Sequence, residues 1–451
     1  MIDPYTQAPG HTAAPPTTWT QRLRHLGPSV IISGSIVGSG EILLTSSLGA
    51  EAGFILLWWV LVSCWSKSIV QAELGRYILT SGDTYLRAVN RLPGKLPGPK
   101  GPVGWPIWLG LIAFFPGVLG LGGIIGGAAQ ALSLLIDGLP STVAAAIIAG
   151  VVMIILGTGS YVRLERVMLF LVIGFTVTTL CCAVLMQSTE YAMTAEDIAS
   201  GFTFSFPVEY AILALAMYGY TGVNSGEIAA YTYWCVEKGY PRFIGGDHDD
   251  PQWLERAQGW IKVLQTDVWA TLLILTAATL PFYALGAGVL NRMDLHPEGL
   301  ETISVLSSMF TVTLGGWAVW VFGIGAFFIL MSTALSGIGA GGRFIPDYLI
   351  ELGFLDRNKV NRLAWIRGYV LIIPVIGFLL YLGFQRPVLL VTISAVVAAM
   401  MLPVQSAATL WLQSHRMDPR VRPKAGIRLA LWSVFSFQFM MACAVIWFVV
   451  L

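Results

Sequence analysis

Charge is what this sequence has least of. Only 11% of its 451 residues are Asp, Glu, Lys or Arg and 56% are hydrophobic, where soluble domains carry about 25% charged residues. Mean hydropathy is +0.73. A soluble globule with one large core is excluded, because apolar runs of about 20 residues recur along the whole chain. Histidine is scarce: His11, His25, His248, His296 and His415 all fall outside the apolar runs, which argues against a histidine proton relay across a membrane. The five cysteines, Cys64, Cys181, Cys182, Cys235 and Cys443, lie in or at apolar segments and form no CxxC pair. They are expected as buried reduced thiols, with neither a disulfide frame nor a zinc site. No HExxH, nucleophile elbow or P-loop is present, so an intramembrane enzyme has no sequence support and no cofactor is expected. The net charge of +1 gives no footprint for nucleic acid. Residues 1–20 are polar and Pro/Thr-rich with no apolar signal core, and residues 1–25 are expected to form a disordered cytoplasmic tail.

What is present is a short motif and its echo. Ser33 to Leu44 reads SGSIVGSGEILL, and Gly219 to Ala229 reads GYTGVNSGEIA. Ser39-Gly40-Glu41-Ile42 returns as Ser225-Gly226-Glu227-Ile228, an offset of 186 that also places Glu51 on Glu237, Gly53 on Gly239 and Phe54 on Tyr240. Matches at both ends of the segment predict two halves built from one repeat. Gly-interrupted apolar segments at corresponding places in two halves point to a transporter's binding site.

The apolar runs give about eleven spans, near 28–48, 54–80, 106–135, 141–159, 167–187, 207–235, 265–290, 303–336, 365–384, 387–412 and 427–450. Lys and Arg set the orientation. Arg292 and Arg386 are the bases of the outer loops, Lys67 and Arg76 fall in span two, and the rest of the 26 lie in segments assigned to the cytoplasm. The expectation is an integral protein of the plasma (inner) membrane, with N-terminus inside and C-terminus outside. Spans one and six then run in opposite directions. The fold class predicted is all-α and polytopic, a 5+5 inverted repeat with helices one and six broken. Its units are 26–187 and 207–412, with 427–450 as an added helix.

An ionisable side chain at the bilayer centre costs at least about 2.5–3.5 kcal/mol. Glu41 and Glu227 must therefore be protonated, paired or facing a polar cavity. Gly38-Ser39-Gly40 and Gly222-Val223-Asn224-Ser225-Gly226 are poor helix. A break there frees carbonyls, which are tolerated only where they line a cavity or bind something. Glu41, Glu227, Asn224, Thr221 and carbonyls around Gly38 and Gly222 make an all-oxygen set of the kind hard divalent cations take. The competing reading pairs each glutamate with Lys67 or Arg76 as packing glue. Lys67, Gln71 and Glu73 share a face of span two and read as a structural polar cluster.

Three other features read blandly. The Gly-rich stretch from Gly117 to Leu132 predicts close helix packing. Asp247, His248, Asp249 and Asp250 resemble metal ligands but sit in a polar loop, 237–264, that reads as solvated, with Trp253, Trp260 and Ile261 at the membrane interface. The segment 188–206, with Glu190, Glu196 and Asp197 and no base, reads as an ordinary outer loop.

The chain resembles the Nramp divalent metal transporters. The residues that carry the resemblance are Leu26-Gly27-Pro28, Gly53-Phe54, Leu56-Leu57-Trp58, Gln71 and Leu74-Gly75, then Ser332-Thr333 with the stretch to Arg343 and Pro346-Asp347, and Leu402-Pro403. The resemblance covers most of 26–412 and implies the LeuT-type fold. The departures fall at the site. Gly38-Ser39-Gly40-Glu41 stands where the family has Asp-Pro-Gly-Asn, and Val223-Asn224-Ser225 where it has Met-Pro-His, after a kept Gly219 and Thr221. Gly120 and Gly123 stand at the family's third-span acids, and Met401 at its tenth-span glutamine. The chain is similar in these losses to the Nramp-related magnesium transporters. The resemblance and the oxygen set together imply a transporter in the lipid bilayer for a divalent cation, Mg²⁺ or Mn²⁺, not coupled to protons. A carrier of a small organic substrate such as an amino acid is the alternative, weakened by glutamates that would repel a substrate carboxylate.

Overall fold

In lipid a segment must satisfy its own backbone hydrogen bonds, so apolar runs of this length fold as helices. A computed structural model of the protein describes residues 12–25, 38–157 and 161–450. Its architecture is all-α; the sheet it contains is the two-residue antiparallel pairing of Lys95–Leu96 with Val103–Gly104. Among the described residues, six helices are long and apolar enough by themselves to cross a bilayer. They are spans three (Trp105–Leu135), seven (from Trp253), eight (Ala318–Glu351), nine (Arg362–Phe384), ten (Pro387–His415) and eleven (from Ala425). Span two, Leu57–Ser81, carries Lys67, Glu73 and Arg76, while spans four and five are the helices Ser141–Gly157 and Tyr161–Leu185.

Span eight departs from the expected 303–336. Residues 303–314 belong to a separate helix, Thr302–Leu314, which ends at Gly315 with φ +91°, and the span proper is Ala318–Glu351. A residue at that φ cannot continue a right-handed helix. The expected interfacial stretch also differs. Trp253 and Trp260 are buried at the start of span seven, where their indole N–H groups donate to the carbonyls of Gly245 and Ala13 at 3.0 Å. Residues 12–25, expected within a disordered tail, instead lie on this helix and on Tyr240–Ile244. Ala13 N–H donates to Phe243 O, Tyr240 Oη donates to His25 O at 2.6 Å, and Trp19–His25 is helical.

Three groups of contacts frame the centre. The first half of span six packs on span ten, span three packs on spans ten and eight, and span two packs on span seven and the second half of span six. Glycine makes these approaches close. A Cβ on Gly126 would lie 2.1 Å from the Tyr381 ring, and one on Gly219 would lie 2.0 Å from Ala395 O. Gly122, Gly123 and Gly126 of span three therefore serve packing, as their spacing predicts, while Gly117 lines open space.

Candidate functional site

Span six is two helices. Ala211–Tyr220 ends at Thr221, Gly222 takes φ +78°, and Ser225–Lys238 starts from Asn224. Asn224 and Glu227 form a capping box: Asn224 Oδ1 accepts Glu227 N–H at 2.9 Å and Glu227 Oε2 accepts Asn224 N–H at 3.0 Å. Span one is described from Gly38. It enters a π-helical turn, Gly40–Thr45, and continues as Ser46–Ala52; the part before Gly38 lies outside the described residues. Here Glu41 Oε2 accepts Gly38 N–H at 2.9 Å. The repeated Ser-Gly-Glu thus has one physical meaning in both halves. Its glutamate lies in the first turn of a helix and reaches back three residues to a backbone N–H, where a negative charge also meets the positive helix end. The far ends match as well: Gly53 and Gly239 are both C-caps with positive φ, +60° and +93°.

The described start of span one meets the break of span six. A Cβ on Gly40 would lie 2.9 Å from Tyr220 O and 3.1 Å from Thr221 Cα, so only glycine permits this backbone approach. Thr45 Oγ1 and Thr221 Oγ1 are 2.7 Å apart. Glu41 Oε1 accepts Gly222 N–H at 3.1 Å and the Thr279 hydroxyl at 3.3 Å. Lys67 donates to Ser63 Oγ at 3.2 Å, to Tyr218 O at 2.5 Å and to Thr221 O. Glu41, Lys67, Thr45 and Thr221 are all 0% exposed.

A cavity of about 290 Å³ lies on the other side of the breaks. Ser39, Gly40, Tyr220, Asn224, Ser225 and Glu227 line its inner end; Phe114, Ser336, Met401 and Gln405 line its walls; Tyr85 and Tyr348 line it toward the base-rich face. Ser39 Oγ and Gln405 Oε1 are buried without a hydrogen-bond partner. Gln405 Nε2 donates to Ser225 O at 2.8 Å and to Tyr85 Oη at 3.1 Å.

The six residues expected as ligands are therefore divided. Asn224 and Glu227 line the cavity, while Glu41, Thr221 and Gly222 lie behind it, linked to Lys67 and Thr279, with Gly38 at the Glu41 carboxylate. Arg76 is taken by a carboxylate of its own helix rather than by Glu41 or Glu227: it forms a two-bond ion pair with Glu73 at 2.9 and 3.0 Å, and Gln413 Nε2 donates to Glu73 at 2.8 Å. The expected Lys67–Gln71–Glu73 cluster is likewise absent. Lys67 turns to the break, and both Gln71 amide atoms are buried without a hydrogen-bond partner. Thr45, Thr279, Ser63 and Gln405 carried no sequence signal, because serine, threonine and glutamine occur on many helix faces; Ser39 lay in the repeated motif but was not among the expected ligands. Lys67 carried one, as a cation within an apolar run. The acidic loop stays bland: Asp250 pairs with Arg256 at 2.5 Å, and no group of three His, Cys, Asp or Glu suited to a metal occurs among the described residues.

Residues 29–448 match the family model of the natural resistance-associated macrophage protein-like proteins, Nramp. The chain belongs to the Nramp family. The Nramp match spans the breaks, the cavity and span eleven. A comparison with curated protein sequences finds no match. Among solved structures, an Eremococcus coleocola manganese transporter bound to an aromatic bis-isothiourea compound is similar with TM-score 0.67 and 13% identity, over 96% of this chain and 89% of that one. MhsT in complex with L-phenylalanine is similar with TM-score 0.58 and 15% identity, over 92% and 98%. Mhp1, a nucleobase-cation-symport-1 family transporter, is similar with TM-score 0.57 and 13% identity, over 97% and 95%. This Nramp chain is an integral membrane protein with the LeuT-type fold. At the third-span positions Gly120 and Gly123, a Cβ would meet Ser394 Oγ at 2.5 Å and Pro387 O at 2.6 Å. No acidic side chain fits there without moving span ten.

Proposed function

We propose that the protein carries a divalent metal cation, Mg²⁺ or Mn²⁺, by alternating access and without proton coupling. The observation that carries this reading is the meeting of two carboxylate-capped helix starts beside one cavity, in a chain of the Nramp family. The manganese transporter among the similar structures points the same way. Glu227 and Asn224, with the unpartnered Ser39 Oγ and Gln405 Oε1, offer the ion oxygen alone. That chemistry favours hard cations, and no thiol or imidazole lines the cavity to bias it to softer ones; Met401 puts one thioether on the wall. Glu41, Thr221 and the carbonyls near Gly38 and Gly222 complete the shell once the halves of the breaks separate, as rocking of one bundle against the rest requires. The base-rich face is the cytoplasmic one, so the cavity as described is the inward-facing path.

Titration calorimetry with Mg²⁺, Mn²⁺ and Ca²⁺ tests the reading. Binding by wild type, weakened about tenfold in Glu227→Gln, is expected, equivalent to about 1.4 kcal/mol. No heat and no thermal stabilisation with any of the three ions at millimolar concentration rules it out.

A second reading has its own support. The cavity exceeds the size of a bare ion, and Phe114, Leu121, Ile124, Tyr220 and Phe344 give it apolar walls. These suit a small organic substrate without a free carboxylate. Thermal stabilisation by such compounds in chelator, and not by metals, selects it.

A further inference from the structure

Breaking span six exposes carbonyl oxygens that no helix uses, and an unwound carbonyl pair in a membrane transporter is a natural cation site. Here the pair is Tyr218 O and Thr221 O, beside Ser63 Oγ, and all three accept from Lys67 Nζ. A neutral amine has two hydrogens to give and an ammonium has three. Three acceptors around one buried nitrogen therefore mark the charged form. The Tyr218 ring adds a π face, 4.9 Å from Nζ.

The negative partner is reached through one peptide group. The Thr221 carbonyl accepts from Lys67, and the N–H of the same peptide, on Gly222, donates to Glu41 Oε1 at 3.1 Å. Ammonium and carboxylate thus stand at opposite ends of a single peptide dipole, each oriented to strengthen it. With the carboxylate ionised the two charges balance, and both side chains are wholly buried.

We propose that the break contains a latent monovalent-cation site, formed by Ser63 Oγ, Tyr218 O and Thr221 O, which Lys67 fills as a tethered ammonium. A free alkali or small alkylammonium ion takes that place when the side chain is cut back. The site stands on geometry alone. Its consequence for transport rests on the carrier reading above: with the cation covalently supplied, the break needs no free co-ion to compensate Glu41.

The test uses the full-length protein in detergent with chelator present, so its outcome does not depend on divalent-ion binding. Melting temperature is read for wild type, Lys67→Ala and Lys67→Met in choline, sodium, potassium and methylammonium chloride at equal ionic strength. In choline, Lys67→Ala melts several degrees below wild type. It recovers part of the loss in methylammonium or an alkali ion, while wild type and Lys67→Met, whose stem fills the space, do not respond. No loss in choline, or the same loss in every salt, overturns the proposal. If Lys67→Ala does not fold, the cycle of Lys67→Met, Glu41→Gln and the double variant decides. Removing both charges leaves neither uncompensated, so the double variant melts above the sum of the single losses; melting at or below that sum overturns the proposal.

Discussion

Glu41 and Glu227 occupy equivalent places in the repeat, yet a change at each has a different consequence. Glu41 is fully buried and accepts two backbone N–H groups and a hydroxyl. In Glu41→Gln one oxygen becomes an NH₂, which cannot accept, so a buried donor is stranded at a cost of about 1–3 kcal/mol. Glu227 lines the cavity, where the change is solvated and one carboxylate oxygen remains an amide oxygen for Asn224 N–H. The expected outcome is a lowered melting temperature for Glu41→Gln, and near-native stability with weakened metal binding for Glu227→Gln. Melting curves and calorimetry on the same preparations check both. Equal losses of stability would assign the two glutamates the same structural role. The repeat of the two glutamates was legible in sequence, where they were read as ligands; their shared reach back three residues to a backbone N–H was shown by the structure. Their difference in burial was not legible, because no periodicity tells which side of a break faces water.

At the scale of the element, the packing of span three on span ten decides what chemistry that helix can carry. With Pro387 O 2.6 Å from a Cβ at Gly123, Gly123→Asp is expected to reduce the yield of folded protein rather than install a proton-carrying acid. Size-exclusion profiles after extraction measure this, and a well-folded variant with new proton movement would contradict it. Outside the membrane, the helix Ser46–Ala52 is clamped by its own Glu51, whose Oε1 lies 2.8 Å from His296 Nδ1. The bond and charge of Glu51, with Asp294 adding to them, raise the His296 pKa above its ordinary value. A raised folded-state pKa means that the stabilisation is fully present below about pH 6.5, the unfolded value, and is lost as pH rises through the folded one. His296 is largely solvent-exposed, so the effect is under about 1 kcal/mol. Amide exchange over 291–296, corrected for intrinsic rates, is expected to quicken across that window, and Glu51→Gln is expected to remove the dependence. In the other half the matching Glu237 pairs with Arg343 at 2.7 Å, a base that does not titrate there.

For the molecule as a whole, coupling is the open consequence. The glycines at 120 and 123 leave no acid in span three, and the histidine of the described spans is His415, at the last residue of span ten and exposed. The buried carboxylates Glu73, Asp267 and Asp347 are engaged by Arg76, by Tyr231, and by Tyr233 with Arg362. Metal is therefore expected to enter proteoliposomes down its own gradient or the membrane potential without acidifying the interior. A trapped pH dye read during uptake at controlled voltage checks this. Acidification that follows metal entry and vanishes in Glu73→Gln would show a proton path through span two.

The sequence by itself determined the class, the helical content, the break in span six and the relation between the halves. Composition and apolar length depend on residue type alone, and a repeated Ser-Gly-Glu with a repeated Gly beyond it is local along the chain. It also carried the family, through short motifs from Leu26 to Pro403. Only the tertiary structure decided which oxygens face the cavity, that Lys67 turns to the break while Arg76 takes Glu73, and that span three closes on span ten. Those outcomes depend on contacts between residues far apart in sequence, Lys67 with Thr221 and Gly123 with Pro387. A helix's own pattern states that a side chain is polar, but the neighbouring helix chooses its partner.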